Sequence, residues 1–357
     1  MIKAIMRHRS RLVLAIAAFA WLGIGMAADA AAQVLLTCPA ATTLDALATC
    51  IRNQMPRPGM GRYVTPTPDE QADFATVVTQ MMNGQCGFPL PDSLSANYQV
   101  GPFTDSVTGK TYCVLMEVLS ANGRVVDKGW GTFIVNNNAA RPTLNQSAPH
   151  PRFDSMTENQ AINIFQDTDS GSYLMCGAHR HTSGQTGGSC EANYGEADCA
   201  HQNNTMFHAA VVALDQFYAG ASWTHIQWHG NAMCPTDPTV TMDVFGSQGF
   251  AQDQPPDSNV ASLRDLMAVN QPDYVFVLTP SDACPLNGTE NVQGRYLNGA
   301  DNVCRPNDIG APTNKFVHLE QSLNIRRGGA AVWDLSVGQN WPAGPMMSEV
   351  SVRGEKR

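Results

Sequence analysis

The stretch TENQAINIFQD, residues 157–167, is followed four residues later by SYLMCGA, residues 172–178. The first starts at a threonine and puts Ala161, Ile164 and Phe165 on one face of an α-helix. The second is an apolar run of strand length. The same alternation continues downstream. GEADCAHQNNTMFHAAVVALDQFY (195–218) reads as a loop and a helix, SWTHIQWHG (222–230) as a strand and TVTMDVFG (239–246) as a strand. SNVASLRDLMAV (258–269) reads as a helix and DYVFVLTP (273–280) as a strand. KFVHLEQSLNIRR (315–327) reads as a strand running into a loop or helix. Strands alternating with helices predict an α/β fold with a mixed, mostly parallel sheet covered by helices on both faces. Sheets of this kind bind ligands beyond the carboxyl ends of their strands.

Upstream the texture differs. TTLDALATCIRNQM (42–55) and TPDEQADFATVVTQMM (67–82) carry helical spacing behind Thr and Asp starts, joined by the loop RPGMGRYVTPTP. TGKTYCVLMEVLSANGRVVDKGWGTFIVNN (108–137) alternates, is rich in β-branched and aromatic residues, and is broken by SANG and DKG turns. It predicts two or three antiparallel strands. At the start of the chain a basic segment, MIKAIMRHRSR, precedes the apolar LVLAIAAFAWLGIGM and the small residues AADAAAQ, the pattern of a cleaved export signal. The expected organisation is a signal peptide over 1–32, a helical N-terminal segment over 33–97, an α/β domain over 98–345 and a tail over 346–357.

Of 357 residues 43% are hydrophobic and 15% charged, which supports a folded core rather than a disordered chain. The formal charge is −9 and no Lys/Arg cluster lies outside the extreme N-terminus, so nucleic acid is not an expected partner. No later segment is long and apolar enough to span a bilayer, so no membrane association is expected once the signal is removed. All ten cysteines follow the signal, and none forms a C-x-x-C pair. An even count in an exported chain predicts disulfide staples in a periplasmic or extracellular protein. Short loops suggest Cys38–Cys50, Cys190–Cys199 and Cys284–Cys304.

The chemistry-bearing residues fall at strand ends. His150 follows TLNQSAP, Arg180 follows SYLMCGA, His229 ends HIQWH, and Glu320 lies in FVHLEQ. A catalytic zinc takes about three His, Asp or Glu ligands and keeps one position open. His150 and Asp154 make a local pair, and His229 a distant third. Glu320 is a carboxylate free to take a proton, and Arg180 a cation for a substrate carboxylate or an oxyanion. A plainer reading stands beside this one: APHPRFDSMTE (148–158) is a Pro-rich turn whose Asp154 caps the helix that follows. The two readings are not exclusive. Asp198, His201 and His208 read as capping groups and solvent-exposed polar residues near a helix start, or else as a pocket wall or a second set of metal ligands. No G-x-S-x-G elbow is present, which argues against a serine hydrolase.

PHPRFDSMT resembles the P-H-G-G-x-I-E-x-x-T stretch of the poly-γ-glutamate hydrolases, small members of the zinc carboxypeptidase superfamily, with Asp154 in place of the family glutamate. FTDSVTGKTYCVLMEV is similar to the segment preceding that motif, HIQWHG to the strand that ends in a third zinc ligand, and VHLEQSLNIR to the late x-L-E-x-S-x-x-L-R segment. The likeness runs in order from Gly101 to Arg327. It implies a zinc-carboxypeptidase-like fold, zinc held by His150, Asp154 and His229, and Glu320 as general base. Arg180 sits where the family keeps a substrate-binding arginine, although GAHRHTSG departs from the family pattern. The implied activity is zinc-dependent hydrolysis of an amide bond in a peptide or other small amide substrate. The alternative is a non-catalytic binding or surface protein on the same fold.

Overall fold

The computed structural model describes residues 37–119 and 123–344. The expected signal peptide, most of the SANG turn and the C-terminal tail lie outside the described residues. Nine strands form one mixed sheet among the described residues. They are β1 (Tyr98–Thr104), β2 (Thr111–Glu117), β3 (Thr132–Val135), β4 (Arg141–Ala148), β5 (Ser170–Met175), β6 (Thr224–Gly230), β7 (Val244–Ser247), β8 (Phe276–Leu278) and β9 (Phe316–Gln321). Their spatial order is β1-β2-β3-β5-β4-β6-β9-β7-β8.

The centre of the sheet is parallel: β5, β4, β6 and β9 all run the same way. The antiparallel strands β1, β2 and β3 extend one side; β2 and β3 fall in the segment whose alternation predicts them, and β1 precedes it. On the other side β7 runs antiparallel to β9 and carries β8 parallel to itself. The chain steps from β4 outward to β5, then back across β4 to β6. The carboxyl end of β4 is therefore a topological switch point, where such sheets open a crevice.

The helices are α1 (Leu44–Gln54), α2 (Pro68–Met82), α3 (Asp92–Ser95), α4 (Thr157–Asp167), α5 (Met206–Phe217), α6 (Asn259–Asn270), α7 (Val292–Leu297), α8 (Leu323–Arg327) and α9 (Asp334–Asn340). Helices α1, α4, α6 and α9 cover one face, where Ile162, Ile226, Trp228, Leu319 and Trp333 share a core. Helices α2, α5 and α7 cover the other, around Phe74, Phe133, Phe207, Leu214 and Phe316. Local chemistry starts these helices as read from the sequence. Thr67 and Glu70 form a reciprocal capping box on α2 with Pro68 in its first turn, and Thr43 caps α1 through the Ala46 N–H.

Three readings are corrected. The strand expected over 239–246 begins only at Val244, because the Asp237 carboxylate accepts the N–H and hydroxyl of Thr239 and turns the chain. Cys38 pairs with Cys50 as expected, but Cys190 joins Cys304 and Cys284 joins Cys234; the remaining bridges are Cys86–Cys113 and Cys176–Cys199. Nearness in sequence misled at these sites because the loop after β5 folds back over the end of its own strand, leaving Cys199 6.2 Å (Cα–Cα) from Cys176. Finally, Asp154 does not cap α4. The residue preceding that helix is Met156, in a left-handed conformation, with no side-chain cap.

Candidate metal centre

Because β4, β5, β6 and β9 are parallel, their carboxyl ends meet at one edge of the sheet. Each delivers a polar side chain there. His150 lies two residues beyond β4, Arg180 five beyond β5, and His229 and Glu320 stand opposite each other in the last turns of the β6–β9 ladder. On β6 the residues alternate faces: Ile226 and Trp228 enter the core, while His225, Gln227 and His229 face the other way. On β9 the same alternation aligns His318 with Glu320.

The five residues expected to act together line or border one cavity of about 620 Å³, whose wall includes His150, Arg180, His229 and Glu320. Asp154 is 3% exposed behind them. His150 Nδ1 lies 3.1 Å from Asp154 Oδ2 and 3.2 Å from His229 Nδ1, and His229 Nδ1 lies 3.5 Å from Asp154 Oδ2. Ligand atoms on a tetrahedral zinc with bonds of about 2.0–2.2 Å stand roughly 3.3–3.5 Å apart. The triangle therefore fits a single small cation.

The ring tautomers fit it as well. His150 Nε2 lies 2.9 Å from Asp198 Oδ1, so it carries the proton and leaves Nδ1 as a lone pair. His229 Nε2 lies 3.1 Å from Gln227 Oε1, with the same result. Two nitrogen lone pairs and a carboxylate oxygen facing one another call for a cation between them or a proton on His150. Outer partners of this kind fix a metal-ligating ring and raise its basicity. Gln227 is itself anchored: Asn291 Nδ2 donates to its oxygen at 2.6 Å, and its own amide donates to Gln293 at 3.1 Å.

Electrostatics follow from burial and neighbours. Burial and Arg180 push the His150 imidazole down, but Asp198 and Asp154 outweigh them and hold it above the usual histidine value. His229 is lowered to about 4, chiefly by burial. Burial works to raise Asp154, yet His150 and His229 hold it well below the usual carboxylate range. Glu320 is pushed up to about 8 by burial and then by Asp154.

Of the two readings of Asp198 and His201, capping in solvent is corrected, and the alternative of a pocket wall or ligand cluster is the one the geometry matches. Asp198 is 1% exposed and gathers three partners: His150 Nε2, His201 Nδ1 at 2.8 Å and Arg180 Nη2 at 2.5 Å. Thr205, not Asp198, caps α5. His208 is buried as well. Arg180 lies with its guanidinium 5.0 Å from the Phe153 ring centroid and 5.5 Å from that of Tyr194, and its Nη1 is 3.4 Å from His150 Nδ1. His318 was not singled out from the sequence. It lines the cavity with its ring 4.6 Å from that of His229 and its Nε2 3.5 Å from Glu320 Oε1. The period-2 pattern H-L-E on a strand already puts it on the face of Glu320.

His150, Asp198 and His201 form a second cluster of possible ligands, and His229, His318 and Glu320 a third, each with its atoms within 4.8 Å of one another. In the second, two ring nitrogens converge on one oxygen, Asp198 Oδ1, at hydrogen-bonding distance, so it is satisfied by protons alone.

No known family profile matches this chain, and no curated protein does. Among solved structures it is similar to an Agrobacterium tumefaciens gene product (11% identity, 63% of this chain and 96% of that one, TM-score 0.36). It is also similar to a bacteriophage poly-gamma-glutamate hydrolase (14% identity, 66% and 93%, TM-score 0.32). A third similarity is to a Shewanella denitrificans protein named as a carboxypeptidase A (11% identity, 82% and 68%, TM-score 0.31). These likenesses are distant, and the chemistry of the site is carried by its own geometry.

Proposed function

We propose that the chain is an exported, zinc-dependent hydrolase of an amide bond of peptide or γ-glutamyl type. One observation carries this reading: three ligand atoms from two separate segments converge at 3.1–3.5 Å, beside a buried carboxylate that is not one of them. In this reading His150, Asp154 and His229 hold the ion. A bound zinc polarises a carbonyl and lowers the pKa of water to about 7. Glu320 has a carboxylate oxygen within 4.8 Å of a ring nitrogen of His229. From there it takes the proton of the attacking water and returns it to the leaving amine.

Glu320 must be ionised to accept that proton. Burial raises its pKa and a cation at the ligand triangle opposes the rise, so the rate increases with pH as Glu320 ionises and falls on the acid side. Arg180, flanked by two aromatic rings, offers its guanidinium to a substrate carboxylate or carbonyl oxygen. Five disulfides among the described residues support an oxidising compartment. No helix among the described residues is long and apolar enough to cross a membrane. A binding module has no use for a carboxylate beside the ligand triangle, so the position of Glu320 favours hydrolysis.

The test is elemental analysis of the purified protein beside His229→Ala and Glu320→Gln. The parent is expected to carry about one zinc per chain and His229→Ala to lose most of it. Glu320→Gln is expected to keep the metal and lose at least about 100-fold in turnover of any amide the parent cleaves. A folded, zinc-free parent would overturn the reading.

A further inference from the structure

The turn that carries Asp154 closes on itself, the Asp154 N–H donating to the His150 carbonyl at 2.9 Å and Thr157 Oγ1 to the Asp154 carbonyl at 2.8 Å, but it holds two strained residues. Arg152 and Met156, on either side of it, have φ of 67° and 77°, the left-handed region that residues with a Cβ avoid. Such residues persist only where their surroundings impose the conformation. One side chain from elsewhere in the sequence grips this turn. Arg326, on α8 and 6% exposed, donates from Nη1 to the Ser155 carbonyl at 2.7 Å and to Ser155 Oγ at 3.3 Å. Its Nε points to the Ser322 carbonyl at 3.4 Å, which ties the guanidinium to the start of its own helix.

The same guanidinium also bears on the other ligand segment. Gly230 follows His229, and a Cβ built on Gly230 would lie 2.4 Å from Arg326 Cζ and 2.5 Å from Nη1. Only a glycine lets the cation approach so closely. Arg326 therefore touches the residue after Asp154 and the residue after His229. It is attached through one short helix to the strand that bears Glu320.

We propose that Arg326 is a positioning residue that fixes the distance between the Asp154 turn and the end of β6, and with it the spacing of the three ligand atoms. The inference rests on the metal reading above. The guanidinium need not approach the ion. It holds the Asp154 carboxylate at the distance from His229 Nδ1 that a small cation requires. Without it the strained turn relaxes, and the ligand triangle opens before anything binds.

The experiment measures zinc dissociation constants by chelator competition for the parent, Arg326→Gln, Arg326→Lys and Gly230→Ala, and thermal melting of each zinc-free protein. Arg326→Gln and Gly230→Ala should each weaken zinc by 10–100-fold, the usual cost of losing support behind a ligand. The zinc-free proteins should melt within a few degrees of the parent. Arg326→Lys keeps a cationic donor near the Ser155 carbonyl and should recover part of the affinity. Lower melting with unchanged zinc affinity would assign Arg326 to plain structural support and overturn the inference. If Arg326→Gln does not fold, Gly230→Ala decides, since it removes no side chain and acts only by displacing the guanidinium. A parent that takes up no zinc removes the metal reading and this inference with it; a zinc-binding parent with unaffected variants removes this inference alone.

Discussion

His150 is held at both ring nitrogens: one faces Asp154 and His229, and the other faces Asp198. Asp198 thus does for His150 what a side-chain amide does for His229, with the difference that it also neutralises Arg180. Asp198→Asn keeps an acceptor for the ring but removes the charge. It is expected to weaken zinc about 10–100-fold and to free Arg180 from its ion pair, which chelator competition and titration of Arg-directed anionic inhibitors would register. An unchanged zinc affinity would show that the ring needs no carboxylate behind it. At this scale the sequence was partly legible. His150, Asp154, His229 and Glu320 could be picked out because strand ends are readable from alternation. Asp198 and His201 were legible only as an open alternative, because the segment EADCAHQ has no periodicity and its burial is produced by a loop folding back over the end of β5.

Among the elements, the long connection between β5 and α5 forms one wall of the cavity, and three ties secure it. Cys176–Cys199 closes it on itself, Cys190–Cys304 joins it to the segment after α7, and the buried Arg295–Glu191 pair adds a charged link. Tyr194 of this wall donates to Glu290 of the 285–291 loop, which lines the same cavity. Cys190–Cys304 spans 114 residues of sequence, so its loss frees a long loop in the unfolded chain. Replacing both cysteines by serine should cost about 2–4 kcal/mol, read as a lower melting temperature in the same buffer without reductant. A double variant that melts with the parent would mean that Cys176–Cys199 and the Arg295–Glu191 pair suffice to hold this wall. Helix α4 spans 157–167, the bounds read from its apolar period, since a face that packs on a sheet must repeat every turn. Disulfide partners obey no such local rule. They depend on strand order, which juxtaposes segments that the sequence keeps far apart.

Across the whole molecule, burial keeps several histidines neutral. His208 is lowered to about 4 and His225 to about 3, both chiefly by burial. An unfolded histidine titrates near 6.5, so between that value and the folded one the unfolded chain binds more protons. The stability these two rings contribute is therefore full above about pH 6.5 and lost as pH falls toward 4. His208 is the clean probe, because its Nδ1 has no hydrogen-bond partner and its ring meets Tyr296 edge-on, as a phenyl would. His208→Phe should remove an acid penalty of about 2 kcal/mol at pH 5, seen as a smaller drop in melting temperature between pH 7.5 and 5 than in the parent. Equal drops would place the acid sensitivity elsewhere. The order of the sheet has a further consequence, one of timing. β9 is the last strand among the described residues, yet it sits between β6 and β7, and β7 and β8 reach the sheet only through it. Until residues 316–321 arrive, β6 has an open edge and the floor beside His229 is missing. A growing chain thus carries His150, Asp154 and His229, beside β4 and β6, before Glu320 or Arg326 has been made. Glu320 and Arg326 come to the site together, on one late segment of the sequence, and complete a centre whose three proposed ligands precede them.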